Sequence, residues 1–77
     1  MLDDFYKVSR PHGECWLHKS KPVWIVEYSA SRLHGRFFQA YRPVQPVPIG
    51  RDPWTVDNRR IGPEDGFQTL QEAAGAT

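Results

Sequence analysis

Seventy-seven residues, 39% of them hydrophobic and 13% aromatic, suffice for one small domain. A core of that size cannot also wrap a small-molecule pocket of about 300–1,000 Å³, so no enzyme, cofactor or small-molecule substrate is expected. A net charge of +1 names no polyanionic partner, and a single cysteine closes no internal disulfide.

Residues 1–10 hold two early acids and no apolar secretory core, and read as an N-terminal segment. After the Pro11-His12-Gly13 turn signal, residues 15–19 read as a first strand and residues 23–29, launched by Pro22, as a second. Residues 30–35 form a hairpin loop to a third strand, 36–42, which Pro43 stops. Val23-Trp24-Ile25-Val26 is the longest apolar run, far short of the ~20 residues of a membrane span, so a soluble, cytoplasmic protein is expected. Period-two alternation places Trp24, Val26 and Tyr28 on one side of the second strand, and Phe38 and Ala40 are assigned to that same core face. The opposite face then carries Ile25, Phe37, Gln39 and Tyr41, either covered by another layer or open for binding.

Residues 43–66 form a Pro-rich loop with room for a short hairpin, in which 54–56 are a strand, 57–58 a turn and 59–61 the return. Trp54 and Ile49 are expected to pack onto the sheet. Thr69-Leu70-Gln71-Glu72 matches the capping box, so a short helix over 69–75 opens at Leu70 and stops near Ala74, with Gly75 as its terminator. Such a helix is too short to stand alone and requires Leu70 and Phe67 to dock on the core. The fold class is therefore α+β: a small antiparallel meander of three or more strands, a Pro-rich loop and one C-terminal helix.

His12, Cys15, His18 and His34 have ligand types that suit a transition metal. Strand alternation sends Cys15 and His18 to opposite faces, so no metal is assigned. Nothing marks an oxyanion hole or a third orienting group beside Cys15, and no glycine-rich phosphate loop is present. Residues 5–42 carry seven Lys and Arg (Lys7, Arg10, Lys19, Lys21, Arg32, Arg36, Arg42) against Glu14 and Glu27. A basic, aromatic sheet over 15–42 suits nucleic acid, because cations meet phosphates while rings stack on bases. The succession Trp24-Ile25-Val26-Glu27-Tyr28, Gly35-Arg36 and Phe67-x-Thr69-x-x-Glu72-Ala73 resembles the arm domain of AP2-type phage integrases. That resemblance implies three strands packed on a helix, and DNA as the ligand. Arg42-Pro43-Val44-Gln45-Pro46 contains a Pro-x-x-Pro element with a flanking arginine, for which a packed loop is the default.

Two functions follow as expectations. The first is a non-enzymatic protein, an accessory or mobile-element product, that binds a protein partner through the aromatic sheet face, an open strand edge or the Trp54 loop. The alternative is a nucleic-acid-binding module. Candidate binding residues for either are Ile25, Arg36, Phe37, Gln39, Tyr41, Arg42 and Trp54.

Overall fold

A strand that is apolar at three successive positions is stable only if both faces of its sheet are covered. The computed structural model, which describes residues 2–11, 13–29 and 35–77, meets that condition at Trp24, Ile25 and Val26, all three buried. A 3₁₀ turn, Leu2–Asp4, leads into β1 (Phe5–Arg10), followed by β2 (Gly13–His18), β3 (Trp24–Ser29), β4 (Arg36–Pro43), a second 3₁₀ turn, Pro53–Thr55, then β5 (Asn58–Ile61) and the helix α1 (Leu70–Ala76). The strands form one five-stranded sheet in sequence order, every neighbour antiparallel. The expected α+β meander with a C-terminal helix is thus observed, with five strands. Among the described residues no helix is long and apolar enough to cross a membrane.

One face packs under α1. Phe5, Val23, Ile25, Ala40, Ala73 and Ala74 are buried there, with Leu2, Trp16, Phe38, Ile61, Phe67 and Leu70 around them. The other face packs under the chain 44–57. Cys15, Leu17, Trp24 and Val26 are buried there, with Val8, Tyr28, Tyr41, Val47 and Val56 against them.

This division corrects the expected faces. Ile25 pairs with Ala40, Glu27 with Phe38, Trp24 with Tyr41 and Tyr28 with Phe37. Directly paired residues project from the same side, so Phe38 and Ala40 belong with Ile25 under the helix, while Phe37, Gln39 and Tyr41 belong with Trp24 under the loop. A six-residue hairpin loop does not dictate pairing, and a slip of one residue exchanges the faces. The loop 30–34 itself lies outside the described residues.

Three further expectations change. Residues 5–10 of the expected N-terminal segment are a strand: β1 pairs with β2 over its whole length, from Phe5 with His18 to Arg10 with Gly13. Residues 53–55 form a 3₁₀ turn and not a strand, because Asp52 caps it, its carboxylate accepting from the Trp54 N–H at 3.0 Å, and Pro53 suits a first helical position. The return strand consequently pairs with β4. Ile49 remains 49% exposed and Trp54 37% exposed, and Val47 and Val56 pack against the buried residues of the loop-side face.

The helix opens where the capping box places it. Thr69 Oγ1 accepts from the Glu72 N–H at 3.1 Å and Glu72 Oε1 accepts from the Thr69 N–H at 3.2 Å. It does not end at Ala74 but runs through Gly75 to Ala76. A glycine inside a helix costs only about 1 kcal/mol. Burial of Ala73 and Ala74 on the sheet holds this last turn, and Thr77 closes it by donating to the Ala74 carbonyl.

Candidate functional site

The chain after β5 leaves β4 and returns to it, and this detour builds a cleft. Gly62 departs, residues 63–66 make a turn closed by the Gly66 N–H on the Pro63 carbonyl at 3.0 Å, and Phe67 then bridges Phe38, each amide donating to the other's carbonyl at 2.6 and 2.8 Å. Between this turn and the first residues of β4 lies an open cleft of about 740 Å³, lined by Arg36, Phe37, Gln39 and 64–68.

The β4 wall of the cleft is braced from within the sheet. Phe37 stacks on Tyr28 with centroids 5.2 Å apart. Tyr41 Oη donates to Gln39 Oε1 at 2.6 Å, so its oxygen is left to accept from Tyr28 Oη at 2.9 Å. Gln39 Nε2 in turn donates to the Glu64 carbonyl at 3.2 Å. A relay of four groups thus ties β3 to the acidic turn. Burial pushes the Tyr41 phenol above its ordinary range. On the helix side of the same strand Arg36 Nε meets Glu27 at 3.5 Å.

A second cleft, of about 460 Å³, lies in the Pro-rich segment between Gln45, Val47 and residues 54–57. Its turn is pinned at both ends. Arg10 bonds the capping residue Asp52 at 2.9 Å, and Asn58 Nδ2 donates to the carbonyls of Pro53 and Val56 at 2.8 and 3.2 Å.

The predicted site residues therefore divide. Arg36, Phe37 and Gln39 come together in the first cleft, Trp54 lines the second, and Arg42 lies further along β4 opposite Arg59. Tyr41 supports the first cleft from behind through its hydrogen bonds. Ile25 is a correction: it is 0% exposed beneath α1 and has no surface to offer. The acidic wall, Glu64 and Asp65, was missed, although Pro63-Glu64-Asp65-Gly66 is a turn signature readable in the sequence.

Cys15 and His18 face opposite sides of β2, as alternation requires, and His12 and His34 lie outside the described residues. His18 holds a turn: its Nδ1 accepts from the Ser20 and Lys21 N–H groups at 3.0 and 3.1 Å, while its ring meets Phe5 edge-on at 4.9 Å. Among the described residues no group of three or more His, Cys, Asp and Glu side chains could hold a metal ion. Comparison with protein-family models, curated proteins and solved structures found no match, so the site is read from its own geometry.

Burial pushes the Cys15 thiol up, against a smaller opposing pull from Arg10. Folding therefore keeps both this thiol and the Tyr41 phenol protonated beyond the ~8.5 and ~10 at which they ionise in an unfolded chain. Above those values the unfolded state binds fewer protons than the folded one, so stability present at neutral pH is lost as pH rises. The urea midpoint is expected to fall between about pH 8 and pH 11, and Cys15 to resist alkylation until the protein unfolds. A flat midpoint with a readily alkylated native thiol would contradict the buried placement.

Proposed function

We propose that this protein is a small non-enzymatic binding module that docks a protein partner in the cleft between Arg36–Gln39 and the 63–66 turn. The observation that carries this reading is the pairing of walls. One side presents an aromatic ring, an amide braced against the sheet and the Arg36 guanidinium; the other presents two carboxylates on a tight turn. Rigid aromatic and amide groups ringed by charges of both signs suit a protein surface, where a preorganised contact avoids ordering costs on binding. The sealing of Cys15 supports the non-enzymatic reading.

Nucleic-acid binding on the sheet of residues 15–42, with the resemblance to integrase arm domains behind it, has less support at this cleft. Arg36 is paired with Glu27, Phe37 is stacked on Tyr28 instead of standing free for a base, and Glu64 and Asp65 oppose a phosphate backbone.

Asp65→Lys and Phe37→Ala test the reading together. Asp65 is exposed, so its reversal is expected to change the melting temperature by less than about 2 °C. Phe37→Ala removes a half-buried ring. Affinity capture from nuclease-treated extract, with cross-linking at the exposed Gln68, should retain a protein with the parent chain that both variants lose. A set of captured proteins identical for all three chains would overturn the proposal.

A further inference from the structure

The β4–β5 register sets two arginines against each other. Arg42 pairs directly with Arg59, next along from the Ala40–Ile61 pair on the helix side. Opposed residues of this kind hold their Cβ atoms about 4.5–5.5 Å apart, and like charges so placed repel. Both arginines are exposed. The ion pairs among the described residues are Lys7–Glu14, Arg10–Asp52 and Arg36–Glu27, so neither Arg42 nor Arg59 is neutralised.

Protection of the sheet edge explains only half of this arrangement. Charges on an edge strand discourage pairing with other chains, which accounts for Arg59 and Arg60 on β5. It does not account for Arg42, which sits on an interior strand. The 19–22 turn, with Lys19 and Lys21, leaves the sheet at this same end, because β3 begins at Trp24 opposite Tyr41. Of the acids at that end, Asp3 and Asp4 precede β1, the strand at the opposite edge of the sheet from β5, where the Asp4 carbonyl accepts from the Lys19 N–H at 2.7 Å. Asp57 lines the Trp54 cleft instead.

We propose that Arg42 and Arg59 together bind a phosphate group, with the lysines of the 19–22 turn adding to the positive field. Two planar guanidinium groups side by side offer forked donors that match phosphate oxygens, and an anion between them turns mutual repulsion into attraction. The site is separate from the docking cleft and does not depend on it.

Thermal unfolding in inorganic phosphate, against sodium chloride at equal ionic strength, tests the proposal. The parent protein should melt about 5 °C higher in saturating phosphate. Arg42→Gln and Arg59→Gln should each lose most of that gain. Without phosphate each should melt at or above the parent temperature, because a repulsion has been removed. Phosphate also stabilises proteins generally by exclusion from their surfaces, and that effect would raise all three chains alike. An equal gain in parent and variants overturns the site, as does no gain in the parent. A short single-stranded oligonucleotide at the same phosphate concentration identifies the source: a larger gain than inorganic phosphate assigns a phosphodiester backbone, an equal or smaller one a free phosphate.

Discussion

Ile25→Ala is expected to lower the unfolding free energy by about 3 kcal/mol, as truncation of a fully buried aliphatic side chain does. Ile25 is 0% exposed and stands between Trp16 on β2 and Ala40 on β4, beneath α1. Small domains hold only about 5–15 kcal/mol in total, so this one change removes a large share of the stability. The helix should suffer with the core, since seven residues cannot remain helical without the face they dock on. Urea denaturation followed by far-ultraviolet circular dichroism measures both effects. A loss below about 1 kcal/mol would mean that Ile25 is not the centre of the helix-side core.

Gly66→Ala should cost about 3 kcal/mol and open the candidate cleft, coupling fold to site. Gly66 has φ of +79°, and a Cβ there would lie 2.8 Å from the Phe38 carbonyl oxygen and 2.9 Å from the Phe37 ring. The left-handed backbone alone costs roughly 1–2 kcal/mol for a residue with a side chain. The remainder comes from the carbonyl, which is backbone in a paired strand and accepts from Phe67 N–H. Relief of the clash must therefore separate Phe67 from Phe38. Hydrogen exchange at the Phe38 and Phe67 amides should accelerate more than at Trp24, and partner capture should fall with it. Gly50→Ala is the control: φ there is +82°, but the nearest atom is the tip of Tyr6 at 3.3 Å, so only the backbone cost of about 1–2 kcal/mol is expected. Equal losses in the two variants would show that the close approach at Gly66 carries no weight.

Local signals in the chain were reliable where a short stretch of residues satisfies itself. The capping box needs only Thr69 and Glu72, and both of its hydrogen bonds are made. The apolar block at Trp24, Ile25 and Val26 marked the central strand, though the need for two covering layers became clear only with α1 and 44–57 in place. β1 escaped notice because Tyr6, Lys7 and Ser9 are exposed on an edge strand, which weakens alternation. The candidate site was half legible. Arg36, Phe37 and Gln39 stood out as aromatic and polar residues of one strand, whereas the opposing wall at Glu64 and Asp65 depends on a return to β4 across more than twenty residues.

The sequence by itself determined an antiparallel α+β meander and a helix start at Leu70. Only the tertiary structure decided the faces. Strand alternation has a period of two, so the partition of side chains rests on a register that no local residue states. Pairing Ile25 with Ala40 buried one supposed binding residue, gathered Phe37, Gln39 and Tyr41 beside Tyr28, and, one strand further on, brought Arg42 against Arg59. Those juxtapositions, made by hydrogen-bonded pairing between segments far apart in the chain, are where both proposed sites arise.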